Sequence, residues 1–564
     1  MARPEHPRPQ MEREKWLNLN GEWEFEIDHG NSGRVRGFVD KPLKERINVP
    51  FCPESRLSGI GYVDFMDAVW YRHTFKVPAV WGKGKIMLHF GAVYYLAEVW
   101  VDGASVGVHK GGHSSFSFDI TSALNDGNEH IIVVCAQSDV RSNKQPSGKQ
   151  SASFESYGCV YTRTTGIWQT VWLEWVPDAF IKSIKLYPDI DNSRVHVHCK
   201  LAGNNGKNTV TAKAFFQGNA MGQATAQASG DTCILAVDLQ ETHLWEVGKG
   251  NLYDLDLAFG DDSVHSYFGL RSVSLVGKAI HINNKPVFQR LVLDQGFYPD
   301  GVITAPVDDD FRMDIQRAID CGFNGARLHQ KVFEERFLYW ADRTGYLVWG
   351  EWPNWGLDIS SADALGAFLP EWTEVMERDF NHPSIVGWCP FNETQRDRDH
   401  DVLRQAYRVT KAIDSTRPVI DTSGWHHVET DIYDIHDYDQ DYDVFTKKYG
   451  PGVEFGQFHE HFDTQKHEGQ PFFVSEYGGI WWDPSNSGGW GYGVRPESEV
   501  AFLERFEGLT RALLNNPNIC ALCYTQLTDV EQEVNGLYTY TRDPKFDVRI
   551  LRSIMSKKAA IEQG

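Results

Sequence analysis

Two glutamates occupy positions where a carboxylate is costly unless it works. The apolar run Ser384-Ile-Val-Gly-Trp-Cys-Pro-Phe ends in Asn392-Glu393, and Pro471-Phe-Phe-Val ends in Ser475-Glu476-Tyr477. Each run reads as a buried strand, and an acid at its end needs partners or a task. Carboxylates so placed serve as general acid, general base or nucleophile. Either one alone could equally close a structural ion pair. The lone pair Cys520-x-x-Cys523 lies inside an apolar run and reads as buried strand thiols, not half of a zinc site. No H-E-x-x-H spacing accompanies the Asp, Glu and His clusters. No catalytic metal and no cofactor is expected.

The elements that must position these acids change character along the chain. Over residues 1–177, short runs such as Glu22-Trp-Glu-Phe-Glu-Ile and Val69-Trp-Tyr-Arg-His-Thr-Phe-Lys-Val alternate at period two. That is the pattern of half-buried strands. Asp102-Gly103 follows Ala97-Glu-Val-Trp-Val as a hairpin turn. An antiparallel sandwich results. Residues 178–276 continue the alternation, as in Arg194-Val-His-Val-His-Cys-Lys-Leu, over a length that suits an immunoglobulin-like sandwich. From 277 to 564 helical and strand patterns alternate instead. Phe311, Ile315, Ala318 and Ile319 mark one helix face before Gly322. Phe337, Trp340 and Ala341 mark another before Gly345 and the strand Tyr346-Leu-Val-Trp. Val402, Ala406, Val409 and Ile413 precede Val419-Ile420 in the same way. A (β/α)₈ barrel is predicted, because no G-x-G-x-x-G follows a strand to support a doubly wound sheet. Polar residues at the C-terminal ends of its strands then face one site.

Composition narrows the partners. With 77 acidic against 55 basic residues, the formal charge is -22, and no basic stripe stands ready to neutralise phosphates. Nucleic acid is excluded as a partner. No apolar run approaches a membrane span, and the polar start Met1-Ala-Arg-Pro-Glu-His lacks a signal-peptide core. Nine scattered cysteines, an odd set, do not form a disulfide scaffold. A cytoplasmic setting without membrane contact is expected; a homo-oligomer is left open.

Several segments resemble glycoside hydrolase family 2, which includes β-galactosidases, β-glucuronidases and β-mannosidases. They are Leu17-Asn-Leu-Asn-Gly-Glu-Trp-Glu-Phe, Trp70-Tyr-Arg, Val99-Trp-Val-Asp-Gly and Gly166-Ile-Trp-Gln-Thr-Val-Trp-Leu-Glu near the start. Asn381-His-Pro-Ser-Ile-Val-Gly-Trp-Cys-Pro-Phe-Asn-Glu and Val474-Ser-Glu-Tyr-Gly-Gly follow in the barrel region. The resemblance spans nearly the whole chain. It implies a jelly-roll sandwich, an immunoglobulin-like sandwich and a catalytic (β/α)₈ barrel, with Glu393 as acid/base and Glu476 as nucleophile. Chemistry explains the pair: the leaving oxygen must be protonated while the anomeric carbon takes a nucleophile from its other face. The acid must hold its proton near neutral pH, whereas the nucleophile must be ionised.

The same match implies supporting roles. Asn392 is expected to bond the sugar 2-hydroxyl. Arg327, in Asn324-Gly-Ala-Arg-Leu-His, is expected to keep the nucleophile ionised, with His329 beside it. His436 and Tyr438, in Asp434-Ile-His-Asp-Tyr, fall where the family places polar groups, and Tyr438 is a candidate for a hydroxyl bond to Glu476. Trp352, Trp355, Trp481, Trp482 and Trp490 lie in loops after predicted strands, where one or two are expected to stack on sugar. Asp294, after the first barrel strand, and Gln526, Asp529 and Glu531, after the last, are candidates for reading hydroxyls.

The sugar is less determined. The family's glucuronidases hold the substrate carboxylate with a late Asn-x-Lys motif, and this chain has Thr541-Arg-Asp-Pro-Lys in that neighbourhood. Asp543 would repel an anion, although Arg542 and Lys545 keep a uronate open. The expectation is a retaining exo-hydrolase of a terminal neutral sugar, β-galactosidase-like, acting on a small-molecule or oligosaccharide glycoside. The alternatives are a uronidase, an arabino- or galactofuranosidase, or a carbohydrate-binding protein without turnover.

Overall fold

The computed structural model describes residues 2–204, 209–453, 465–483 and 488–563. The first third is a sandwich of a six-stranded and a four-stranded antiparallel sheet. Its hairpin Leu96–Val101/Ala104–Lys110 turns on Asp102 and Gly103, both at positive φ (49° and 82°). That is the geometry a two-residue turn between right-twisted strands requires. Trp23, Phe25, Tyr71, Val99 and Ile132 supply its interior.

The second sandwich faces a sheet of Phe180–Asp189, Arg194–Ala202 and Thr232–Asp238 against a four-stranded sheet that includes Tyr253–Phe259. In Tyr253–Phe259 buried and exposed residues alternate without a break. Its odd positions are apolar and its even ones polar or small, so period two selects the inner face.

The barrel follows. Its strands are β1 Gln289–Asp294, β2 Gly325–Leu328, β3 Leu347–Glu351, β4 Ile385–Cys389, β5 Thr422–Ser423, β6 Tyr433–Asp437, β7 Phe472–Gly478 and β8 Ile519–Thr525. Seven of them form one parallel sheet in the order β4-β3-β2-β1-β8-β7-β6. The ring closes through β5. Phe391-Asn392, just beyond β4, pairs in parallel with it, Trp388 bridges Val419, and His436 N donates to Gly424 O. Helices α1 Asp308–Asp320, α2 Glu335–Thr344, α3 Leu365–Asp379, α4 His400–Ile413, α5 Tyr442–Tyr449, α6 Glu499–Leu514 and α7 Val548–Met555 surround it; β5 passes to β6 through a loop. In α1 the predicted face holds: Phe311, Ile315 and Ala318 are buried. Three aspartates in its first turn meet the positive end of the helix dipole.

The barrel interior is a packed plug of Leu291, Leu293, Leu347, Trp349, Phe473, Cys520 and Cys523, with Ile280 and Ile282 of a preceding hairpin joining the same cluster. The two cysteines are buried, free strand thiols, as their sequence context suggests.

Buried ion pairs fasten the three units. Arg3, near the N-terminus, donates twice to Glu334 in the barrel at 2.9 Å. Arg13 reaches Glu174 at 2.8 Å in the first sandwich, and Asp262 at 2.8 and 3.0 Å in the second. Removing one partner of such a cluster strands the others, at a cost of about 3–5 kcal/mol. Arg13→Met is therefore expected to lower the apparent melting temperature measured by calorimetry, with early separation of a sandwich transition. An unchanged thermogram would show that Arg13 does not couple the sandwiches.

Candidate active site

The site forms at the C-terminal ends of the barrel strands, around one guanidinium. Arg327, on β2, donates through Nε to Glu351 at 2.8 Å and through Nη1 to Glu476 at 2.7 Å. Its Nη2 donates to the Oδ1 of Asn392. One side chain thus ties β2, β3 and β7 to the end of β4.

Glu476 does not follow its strand, as the sequence suggests, but lies within β7. The register slips on both sides of it, between Val474 and Tyr477 against β8 and between Ile435 and His436 against β6. Such irregularities re-aim side chains, and here they fall on Glu476 and His436. Burial alone would raise the Glu476 carboxyl. His436, Arg327 and His329 oppose it, together with the Tyr438 hydroxyl, and they hold it at about 2. Tyr438 donates to Glu476 Oε2 and lies 3.0 Å from Thr525 Oγ1. Its ring stacks on Tyr492.

Glu393 stands at φ 49°, a left-handed conformation that costs a non-glycine residue about 1–2 kcal/mol. Its N–H donates to Ser423 O at 2.9 Å, which anchors the turn. His436 lies between the two acids, with Nδ1 2.8 Å from Glu393 and Nε2 3.4 Å from Glu476. Its ring packs on the backbone of Gly424, where a Cβ would meet ring atoms at 2.2 Å. One oxygen of Glu393, one of Glu476 and one ring nitrogen of His436 all lie within 4.8 Å of one another. This is the one potential metal-ligand cluster among the described residues. A cation bound there would occupy the atoms that the acids need for chemistry. The Glu393 side chain is 19% exposed and that of Glu476 6%, so the first borders solvent and the second lies deeper. A cleft of about 500 Å³ opens beside Glu393, lined by Trp355, Asp358, Gln395 and Arg398 among others.

Asn392 accepts from Arg327 with Oδ1, and its buried Nδ2 has no partner among the described residues. His329 lies 3.1 Å from Glu351 and 3.8 Å from Glu476. Burial, with help from Lys149, pushes its ring well below the usual imidazole range.

Other expected contacts are placed elsewhere. Trp352 is fully buried against Phe368 and Phe391, and donates to Glu371. Trp482 packs on Phe502 and Phe546. Both are core residues, because the loops that carry them fold back over helices. Trp490 donates to Gly158 O of the first sandwich. Asp294 accepts from Gly296 N, and burial next to Asp314 raises it to about 6; it belongs to the base of its own loop. Asp529 pairs with Lys545 at 2.5 Å, Glu531 accepts from Thr162 N, and Gln526 donates to Asn535. Asp543 is exposed and hydrogen-bonds Thr541. Trp481 is half-buried, and its Nε1 has no partner among the described residues.

Sequence reasoning missed the wall supplied by the first sandwich. Ser147 and Gly148 donate to Trp355 O at 2.7 and 3.1 Å. Tyr161 donates to Glu533 at 2.6 Å, and Gln532 donates to Gly158 O and Val160 O. This loop carries Lys149, whose ammonium lies 3.9 Å over the Trp355 ring.

Residues 61–173 match the description "Glycosyl hydrolases family 2, sugar binding domain", 179–271 "Glycosyl hydrolases family 2", and 273–490 "Glycosyl hydrolases family 2, TIM barrel domain". The chain belongs to glycosyl hydrolase family 2. This family 2 enzyme is 25% identical over 438 residues to a β-glucuronidase of Paenibacillus borealis, covering 71% of this chain and 72% of that one. It is 24% identical over 440 residues to a β-galactosidase of Leuconostoc mesenteroides, covering 72% of this chain and 39% of that one. Among solved structures, a β-glucuronidase from an uncultured Clostridium superposes with TM-score 0.81 at 21% identity, over 97% and 99% of the two chains. A family 2 β-galacturonidase of Eisenbergiella tayi superposes with TM-score 0.74 at 18% identity, over 98% of each chain. These superpositions show the three-domain fold.

Because the folded Glu476 carboxyl is depressed, its stabilisation is complete above the ordinary value of 4.5 and is lost as pH falls toward about 2. Between pH 6 and pH 3 the wild type should therefore lose more stability than Glu476→Gln, read from paired thermal melts. Parallel losses would mean that Glu476 does not titrate as a buried, ion-paired acid.

Proposed function

We propose that this hydrolase is a retaining exo-glycosidase that releases a terminal hexuronic acid by double displacement, with Glu476 as nucleophile and Glu393 as acid/base. The observation that carries the mechanism is the separation of the two acids, whose oxygens approach within 4.8 Å. Retaining enzymes hold their carboxyls about 5–5.5 Å apart, and inverting ones about 6.5–9.5 Å apart to admit a water. The shorter spacing supports direct attack on the sugar.

In the first step Glu476 bonds to the anomeric carbon while Glu393 gives its proton to the departing glycosidic oxygen. Glu476 then carries no charge, and Glu393 is ionised. In the second step Glu393 takes a proton from water, whose oxygen attacks the same carbon, and the Glu476 ester breaks. Both acids return to their starting states. Arg327 and Tyr438 hold Glu476 ready between turnovers, and Asn392 Nδ2, without a partner among the described residues, is the donor assigned to the sugar 2-hydroxyl. His436, 2.8 Å from Glu393, orients the acid. The sandwich loop that joins Trp355 and Glu533 closes one side of the site, which suits cleavage at a chain end.

The choice of a uronic acid rests on the relatives, several of which are β-glucuronidases and one a β-galacturonidase. Asp543 is the residue that speaks for a neutral sugar. It is exposed and bonded to Thr541, so solvent screens its charge and weakens its repulsion of an anion.

Glu476→Gln is expected to abolish turnover, and near-wild-type activity would remove it as nucleophile. Glu393→Ala should slow poor leaving groups by roughly 10²–10⁴-fold, and azide should restore much of the rate on activated substrates. A variant indifferent to leaving group and to azide would remove Glu393 as acid/base.

A further inference from the structure

We propose that Lys149, delivered by the first sandwich, is the cation that receives the substrate's carboxylate and sets the enzyme's preference for uronides over neutral sugars. The inference rests on the uronide reading and names the residue that would enforce it.

Among the described residues the other cations around the site are already engaged: Arg398 of the cleft donates to Gln395 and lies 3.8 Å from Asp397. Arg327 holds Glu351 and Glu476, Lys545 holds Asp529, and Arg542 pairs with Asp314. Lys331 donates to the carbonyls of Gly296 and Ile303, and burial lowers it to about 7. Lys149 differs. It is 6% exposed, yet among the described residues its ammonium has no hydrogen bond and no carboxylate oxygen within 4 Å; its neighbour is the face of Trp355, 3.9 Å away. Enclosed along its stem and without an acceptor of its own, the ammonium is open to a ligand that brings one. A ligand carboxylate supplies what the protein withholds.

Its place in the site is fixed by contacts on both sides. Gly148, at φ 56°, lets the turn press onto the barrel, where a Cβ would meet Gln330 O at 2.4 Å. Gly148 N donates to Trp355 O, and Lys149 O accepts from Tyr161 N. Burial pulls the Lys149 ammonium down, but Cys159, Glu533, Glu393 and Glu476 raise it further. The lysine therefore stays charged and shares the field of both acids.

Glu533 is the group that would oppose an anionic sugar. It accepts from the Tyr161 hydroxyl and from Asn535 at 3.0 Å. Burial, together with Glu476, pushes it above the usual carboxylate range against the pull of Lys149. Each of its two oxygens is already taken by one of those donors.

The test uses matched nitrophenyl glycosides that differ only at C6: β-glucuronide against β-glucoside, and β-galacturonide against β-galactoside. The full-length wild type should favour the uronide of at least one pair in kcat/KM. Lys149→Gln should reduce that preference at least tenfold, the scale of one hydrogen bond to a charged group, chiefly through KM. Lys149→Arg should keep most of it. Turnover of the neutral partner reports folding in the same preparation. If the wild type favours uronides and Lys149→Gln leaves the ratio unchanged, the role of Lys149 is overturned and the uronide reading stands. If the wild type favours the neutral member of both pairs, the uronide reading falls and takes the Lys149 proposal with it.

Discussion

Arg327 is the interaction on which the site depends. Its guanidinium is 1% exposed, and it holds the acids of β3 and β7 and the amide beyond β4 in one plane of donors. Desolvating such a group costs several kcal/mol, which is recovered only if every donor finds an acceptor of good geometry. The planar fork meets that condition, and a lysine could not reach all three partners. Without it, Glu351 and Glu476 would be two buried carboxylates with only His329, among the described residues, close to both. The cation that makes the cluster stable also acts, after His436, to lower the Glu476 carboxyl and keep it ionised at neutral pH. Stability and reactivity here have the same source.

The second constraint is geometric. Glu393 takes a left-handed backbone, and Glu476 sits where β7 slips against both neighbours. Regular strands would send alternate side chains to opposite faces; the irregularities bring two acids and an imidazole to one point. Rigid β-structure beneath them and the sandwich loop beside them limit their movement. The first sandwich is thus part of the site through Ser147, Gly148 and Tyr161, as well as a neighbour of the barrel.

Much of this was legible in the residues. Period-two runs and the Asp102-Gly103 turn give the sandwiches, and apolar faces ended by Gly322 and Gly345 give barrel helices. Local rules suffice there because burial selects the same period that the backbone imposes. The strand-end glutamates stood out for the same reason, since an acid beside a buried run is anomalous. Arg327 and Tyr438 could be named through the family resemblance, and their contacts with Glu476 are present. What escaped depends on contacts between distant segments. Lys149 lies in a Ser- and Gly-containing sandwich loop with no pattern to mark it, and Glu533 resembles any loop acid. Trp352 and Trp482 failed in the other direction. An aromatic residue after a strand can turn into the pocket or back onto a helix, and nothing local distinguishes the two.

The central claim is that the acids stand close enough for Glu476 to attack the sugar itself. Proton NMR of the first-formed product, recorded on a hydrolysed glycoside before mutarotation, tests it most directly. Direct attack by Glu476 gives a product with the anomeric configuration of the substrate. A first-formed product of inverted configuration would contradict it, because a water would then have stood between Glu476 and the anomeric carbon.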